Sequence, residues 1–191
     1  MQEVVFPVRV LSALGIKILI VTNASGSLRK ELEPGTIVQL QDHINFMGTN
    51  PLIGMNDDDF GERFPSLNNP YDPELCLLAD EVALDLGIKT AKGVYIAVTG
   101  PSLETKAECS AFASWGADLV GMSTVPEVIT ARHSGLKVLA YSIVTNYSNL
   151  FHNLAHSQEE IQRIADISGK QLQKLIAELI LRLTRTFSLT S

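Results

Sequence analysis

The stretch Gly121-Met122-Ser123-Thr124-Val125-Pro126-Glu127-Val128 marks the point where a strand turns into a helix. The apolar run 117–120 before it is typical of a buried strand. Thr124 and Glu127 have the spacing of a capping box, and Pro126 suits the first helical turn. The octapeptide therefore predicts a strand-to-helix junction of the kind found in α/β sheets.

Two residues of this junction are candidates for ligand contact. Met122 and Ser123 fall between the carboxyl end of the strand and the start of the helix. Ligands of open α/β sheets bind at carboxyl ends of strands, and helix N-termini favour anions. A hydroxyl beside a thioether therefore indicates a site that touches both an anion and an apolar ligand face.

Short apolar runs alternate with helical patterns along the whole chain, which predicts one α/β domain over residues 1–191. Strands are predicted at Ile16–Thr22, Thr36–Leu40, Gly93–Thr99, Ala117–Gly121 and Lys137–Thr145. Helices are predicted at Val5–Leu14, Pro73–Leu86, Thr105–Trp115, Val125–His133 and Ser157–Leu183. Asp72 is predicted to cap the helix that begins at Pro73, and Thr105 and Glu108 have the spacing of a further capping box. The nearly continuous apolar character of the strands suits a sheet that is covered on both faces.

Composition narrows the class of protein. Apolar residues make up 46% of the 191 residues, and the net charge of −6 disfavours nucleic-acid binding. Cys76 and Cys109 have no metal or redox spacing, so reduced and packed thiols are expected. The apolar runs are too short for a membrane span, and the first residues lack the pattern of a signal peptide. The sequence thus predicts no membrane, nucleic-acid or metal partner and a cytoplasmic location.

One segment, Met47–Asn69, lacks periodicity and is rich in Gly, Pro, Asn and Asp. Connections of this length often serve as lids or binding loops, although a solvated surface loop explains the composition equally well. Its apolar anchors are Phe60, Phe64 and Pro65.

Three further strand ends carry polar or small residues that suit a ligand. Ala24 lies in the small-residue run 23–28, which would form either an anion-binding nest or a simple tight turn. Glu104 precedes a helix cap and would accept hydrogen bonds from a ligand, or be a solvated carboxylate near a helix start. Asn146 both donates and accepts, which suits a heterocycle edge or a turn. Together with Met122 and Ser123, these residues predict one site at one side of the sheet.

The chain resembles the trimeric purine nucleoside phosphorylase family over nearly its entire length. The resemblance is carried by 21–28, 42–45, 61–65, 100–105, 121–128 and 145–146, in the expected order. It implies a phosphorylase/hydrolase-like three-layer α/β fold, with a mixed, mostly parallel central sheet flanked by helices.

The resemblance implies phosphorolysis, in which phosphate attacks a purine (deoxy)ribonucleoside and releases free base and pentose 1-phosphate. Asn146 would bind the imidazole side of the base and Glu104 its pyrimidine side. Met122 would line the ribose, while Ser123 and the Ala24 backbone would hold phosphate. Inorganic phosphate is then a co-substrate, and no cofactor is expected.

The resemblance also bears on assembly and specificity. Phe64 would reach into a neighbouring subunit's site, which makes a homotrimer part of the active site. Methylthioadenosine phosphorylases carry aspartate where this chain has Asn146, which favours a 6-oxopurine nucleoside such as inosine or guanosine. His156 matches either the histidine that contacts the 5′-hydroxyl or a surface histidine.

In the family, a long N-terminal portion with further phosphate ligands precedes the point that corresponds to Val4–Val10. The sequence as written starts just before that point, so we expect an N-terminally truncated fold with little phosphorolytic activity. The alternative is a non-catalytic purine-binding or oligomerisation subunit of the same fold.

Overall fold

The computed structural model describes residues 1–153 and 157–188, with side chains up to residue 185. Ten elements follow one another along the chain. They are α1 (Gln2–Ala13), β1 (Ile18–Ser27), β2 (Ile37–Phe46), α2 (Pro73–Asp85), β3 (Thr90–Val98), α3 (Lys106–Ser114), β4 (Leu119–Gly121), α4 (Val125–His133), β5 (Lys137–Tyr147) and α5 (Gln158–Ser188).

The five strands form one mixed sheet that closes into a barrel in the order β1-β4-β3-β2-β5. Strand β1 pairs with β5, β2 with β3, and β3 with β4 in parallel, whereas β1/β4 and β2/β5 are antiparallel. The predicted α/β class is confirmed. Closure of the sheet was not predicted from the sequence, because it depends on pairings between strands that are distant along the chain.

Four strands, β1, β2, β3 and β5, are longer than predicted, and β4 is shorter. Strand β1 continues through Asn23 to Ser27, and β2 continues past Gln41 to Phe46. The predicted ends were placed where the apolar runs stop, but polar residues also extend along a strand wherever its backbone is paired. The pairing register of β1/β5 shifts after Ser25, and that of β2/β3 after Leu40, which marks a β-bulge in each ladder. Bulges increase local twist and are common at barrel rims.

The barrel interior and the layer between barrel and helices supply the core. Strand β5 is buried without interruption from Val138 to Thr145, as expected for a strand covered on both faces. Leu172, Leu175 and Leu179 of α5 pack with Leu139 of β5. Both cysteines are free thiols, and burial raises the pKa of Cys76 to about 11. Within the described ranges, no helix has the length and apolar character needed to cross a bilayer.

The helix that follows Glu104 has the capping box that the sequence predicts. The Thr105 hydroxyl accepts from the Glu108 backbone N–H at 3.2 Å, and the Glu108 carboxylate accepts from the Thr105 N–H at 2.7 Å. Two of the four unpaired N–H groups at this helix start are thereby satisfied.

Replacement of Thr105 by alanine is expected to lower the free energy of unfolding by about 1 kcal/mol, because one of these bonds is lost. Thr105→Ser is the matched control, since serine keeps the hydroxyl. Denaturant unfolding of both variants measures the difference. Equal stabilities for Thr105→Ala and Thr105→Ser would contradict the contribution of the cap.

Candidate functional site

One cavity of about 330 Å³ opens at the barrel end where the predicted strand ends meet. The five residues predicted to face one another all line it. They are Ala24, Glu104, Met122, Ser123 and Asn146. They come from β1, β5, the end of β4 and the segment after β3, which are far apart in the sequence but adjacent around the barrel.

The β1 wall of the cavity is a strand, not the turn or nest expected for residues 23–28. Ala24 is exposed toward solvent, whereas the neighbouring Ser25 is buried and accepts from the Ser142 hydroxyl at 2.7 Å. A side chain at Gly26 would lie 3.3 Å from Asn146 Nδ2. The small residues of this run therefore allow close approach of β1 and β5 and leave room beside Asn146.

A bulge in β5 sets the direction of Asn146. Ser25 pairs with Val144, but Gly26 pairs with Asn146, so that Thr145 is the extra residue. Because side chains alternate along a strand, one extra residue changes the face to which the next side chain points. The Thr145 hydroxyl donates to Asn146 Oδ1 at 3.0 Å, and Asn146 Nδ2 donates to the Tyr147 carbonyl at 2.9 Å. These contacts fix the orientation of the amide at the cavity edge.

Glu104 is half-buried and lines the same cavity. Burial raises the pKa of its carboxyl group, a backbone hydrogen bond partly opposes this rise, and the charge of Glu108 adds to it. Asn149 Nδ2 donates to the Glu104 carbonyl at 2.7 Å, which ties this segment to the residues after β5. A half-buried carboxylate in this position is a strong acceptor for ligand N–H groups.

The junction after β4 departs from the capping box predicted at Thr124 and Glu127. Thr124 has φ 70° and ψ −51°, and its side chain does not cap α4. Its hydroxyl accepts from Asn23 Nδ2 at 2.7 Å and lies 3.1 Å from Ser123 Oγ. The Ser123 backbone N–H donates to the hydroxyl of the buried Tyr95 at 3.3 Å.

Two glycines keep this junction in place. A Cβ at Gly121 would overlap the Tyr95 hydroxyl, and a Cβ at Gly100 would overlap Met122 Sδ. Gly100 also has φ +63°, a backbone conformation that favours glycine. Met122 and Tyr95 thus pack directly against backbone that carries no side chain.

The loop 47–69 does not cover the cavity, since none of its residues in the described chain lines it. It is anchored instead at the C-terminal end of α4. His133 Nε2 contacts Asn56 Oδ1 at 3.1 Å, and Arg9 Nη1 contacts His133 Nδ1 at 2.8 Å. Burial and then the Arg9 charge lower the pKa of His133, consistent with a neutral ring that accepts from the guanidinium.

The two remaining predicted residues do not line the cavity. Phe64 is 84% exposed, with the Arg63 guanidinium 5.4 Å from its ring centre. His156 lies outside the described residues. In residues 1–153 and 157–188, no group of three or more His, Cys, Asp or Glu side chains could hold a metal ion.

Sequence reasoning missed several residues that build the site. Tyr95 and Thr145 lie within apolar runs, which predict core positions, while Gly26 lies in a run that predicts a turn. Asn23 lies in the small-residue run 23–28, but nothing in the sequence pairs it with Thr124. These roles depend on contacts between strands and carry no local pattern.

The chain is similar to purine nucleoside phosphorylases in both sequence and structure. Purine nucleoside phosphorylase 1 of Bacillus subtilis (strain 168) is 47% identical over 180 residues, which are 94% of this chain and 66% of that protein. Schistosoma purine nucleoside phosphorylase, solved in complex with guanosine and with adenosine, superposes with a TM-score of 0.88 at 42% identity, over 92% of this chain and 66% of that one. Isoform 2 from Schistosoma mansoni, in complex with cytosine and ribose-1-phosphate, gives a TM-score of 0.91 at 40% identity, over 95% and 66% of the two chains.

These relatives are longer than the chain described here. The chain spans between 52% and 66% of the length of the first curated relatives that it matches. The sequence profile of the phosphorylase superfamily matches residues 1–181. With this match over most of the chain and with closely superposing purine nucleoside phosphorylases, the chain belongs to the phosphorylase superfamily.

Proposed function

We propose that the cavity binds a purine nucleoside and phosphate, and that the protein cleaves the nucleoside by phosphorolysis to free base and pentose 1-phosphate. The observation that carries the proposal is the convergence of Ala24, Glu104, Met122, Ser123 and Asn146 on one cavity. The names of the relatives support the reaction class, and the guanosine, adenosine and ribose-1-phosphate complexes of the Schistosoma proteins support the ligand class.

The base is proposed to lie between Asn146 and Glu104. The Glu104 carboxylate accepts N–H groups from the pyrimidine side of the purine, and the Asn146 amide bonds its imidazole side. Negative charge develops on the departing purine, so a fixed amide donor at the imidazole nitrogen stabilises the transition state more than the ground state.

The sugar and phosphate are proposed to lie toward the β4–α4 junction. Met122 offers an apolar surface to the ribose, while the Ser123 hydroxyl and the Ala24 backbone hold phosphate. Positioning of phosphate beneath the anomeric carbon converts a bimolecular attack into one within the complex. As in glycoside cleavage, the sugar takes on oxocarbenium character, and the bound anion stabilises that positive charge.

The base specificity is proposed to favour 6-oxopurines. Their ring N1–H donates to a carboxylate, whereas the N1 atom of adenine is an acceptor and would face Glu104 unfavourably. Because a Schistosoma relative has been solved with adenosine as well as guanosine, rates on both types of nucleoside are needed. Cleavage of adenosine as fast as inosine would reject this preference.

The assembly is proposed to be a homotrimer, in which the exposed Phe64 contacts a neighbouring site. An exposed phenylalanine on a loop that is anchored to α4 is the supporting feature. The predictions of no cofactor and of a cytoplasmic location stay predictions.

A second candidate is a purine-binding subunit without catalysis. It is favoured by one observation: among the described residues that line the cavity, none is Lys, Arg or His. Phosphate in such a cavity would be held by neutral donors alone, without the stronger charge-assisted bonds that cations give.

Release of hypoxanthine from inosine distinguishes the two candidates. The chain is incubated with inosine with and without inorganic phosphate, and hypoxanthine binding is measured separately by calorimetry. Phosphate-dependent release supports the phosphorylase. Binding of hypoxanthine without any release supports the non-catalytic subunit, and the absence of both rejects the proposed site.

The affinity for hypoxanthine is expected to fall as the pH drops through the raised pKa of Glu104. Below that pKa the carboxyl group is protonated and no longer offers two acceptor oxygens to ligand N–H groups. The loss should therefore begin at a higher pH than for an ordinary glutamate. Calorimetric titrations between about pH 4 and 8 measure this loss of affinity. A Glu104→Gln variant is the control and should bind weakly, with no such loss of affinity as the pH falls. The same pH dependence in both proteins would assign the titration to another group.

A further inference from the structure

The residues Ser123, Thr124 and Val125 form an unusual turn beside the cavity. Thr124 has φ 70° and ψ −51°, and the Val125 N–H donates to the Ser123 carbonyl at 2.7 Å. This is the γ-turn with positive φ, which is rare and strained. A β-branched residue is especially disfavoured there, and such strain persists only where the surroundings enforce it.

Asn23 is the side chain that meets this turn from β1. Its Nδ2 donates to Thr124 Oγ1 at 2.7 Å, and the Thr124 side chain is buried. Asn23 is itself fixed by the ladder, since it pairs with Ser142 on the buried strand β5. The Tyr95 hydroxyl on β3 accepts the Ser123 N–H. The turn is therefore held by side chains from two strands of the barrel, in addition to the bond from the Val128 N–H of α4 to the Thr124 carbonyl.

The Thr124 hydroxyl links Asn23 to Ser123. Thr124 Oγ1 accepts from Asn23 Nδ2 and lies 3.1 Å from Ser123 Oγ, and either hydroxyl can be the donor of this second bond. When Thr124 donates, the Ser123 hydroxyl hydrogen is free for the cavity that Ser123 lines. In that arrangement the exposed Ser123 hydroxyl is a donor toward an anionic oxygen.

We infer that Asn23 is a positioning residue, which holds the strained turn at Thr124 and thereby aims the Ser123 hydroxyl at an anion in the cavity. The identity of that anion as phosphate rests on the proposed function. The effect of Asn23 on the turn itself does not, and it is measurable without any ligand.

Amide hydrogen exchange of the ligand-free full chain tests the turn. In Asn23→Ala, exchange at Val125 is expected to be about tenfold faster, since the hydrogen bond from Asn23 that holds Thr124 in the strained turn is lost. Asn45→Ala is the matched control, because Asn45 donates to the Thr49 carbonyl at 3.0 Å at an exposed position outside the cavity. It should leave exchange at Val125 unchanged.

Thr124→Gly supplies the second variant, since glycine adopts positive φ without strain. In this background Asn23→Ala should have less than a twofold effect at Val125. If Asn23→Ala alone unfolds while the double variant folds, the inference is supported. It is overturned if Asn23→Ala leaves Val125 exchange unchanged, or if both variants unfold alike.

Calorimetry with inorganic phosphate and with hypoxanthine tests the orientation of the Ser123 hydroxyl. Asn23→Ala should weaken phosphate binding at least about fivefold and alter hypoxanthine binding less than twofold, a split that general destabilisation would not give. Equal losses for both ligands overturn the inference. If the parent chain binds neither ligand, the proposed function fails, and the exchange measurement alone decides the role of Asn23.

Discussion

Replacement of Asn146 by alanine is expected to lower kcat/KM for phosphorolysis of inosine by about 10²–10³-fold, because a preorganised donor to the departing base is lost. The bulge at Thr145 and the bond from the Thr145 hydroxyl hold the amide before the ligand arrives. A preorganised group of this kind contributes mainly to the transition state, so the loss should fall on kcat more than on KM. Initial rates of hypoxanthine release at saturating phosphate measure it.

Asn68→Ala is the matched control for this experiment, since Asn68 is exposed and lies outside the cavity. It should leave both kcat and KM within twofold of the parent. If the Asn146→Ala protein keeps the parent's kcat, Asn146 is not a catalytic residue. If the chain binds hypoxanthine without turning over inosine, Asn146→Ala should still weaken that binding by about tenfold.

The largest loss of stability is expected from Gly61→Ala, at about 2–4 kcal/mol. A Cβ at Gly61 would overlap the backbone carbonyl of His133, and the backbone there has φ +152°. The carbonyl belongs to the buried end of α4 and cannot rotate away as a flexible side chain would. The anchor of the loop on α4 should therefore open, together with the contact between Asn56 and His133.

Gly54→Ala isolates the contribution of the overlap. Gly54 lies in the same loop with φ +120°, but a Cβ there would meet nothing within 4 Å. It should cost only the backbone strain, about 1–3 kcal/mol. Denaturant unfolding of the two variants gives the difference, and equal losses would show that the close approach to His133 is not a tight constraint.

The order and type of the elements were predictable from local chemistry. Asp72, Pro73 and the capping box at Thr105 marked helix starts that the structure confirms. Strand ends were less predictable. Strand β1 continues through Asn23 to Ser27 because β5 pairs with its backbone over that length. A change from apolar to polar residues marks the end of burial, which is not the same as the end of pairing.

The candidate site was predictable as a set of residues but not as a geometry. Ala24, Glu104, Met122, Ser123 and Asn146 were expected on one side of a sheet, and they line one cavity. Thr124 was expected to cap a helix, but its hydroxyl accepts from Asn23, 101 residues away in the sequence. The octapeptide does not include Asn23, so its local pattern could not predict the strained turn.

The sequence by itself determined the α/β class, the helix starts and the identity of the polar residues at the strand ends, because each follows from side-chain periodicity and capping over a few residues. The tertiary structure alone decided the closure of the barrel, the bulge that turns Asn146, and the turn at Thr124. These features arise where segments distant in the chain come into contact, and close packing there selects conformations that local propensity disfavours.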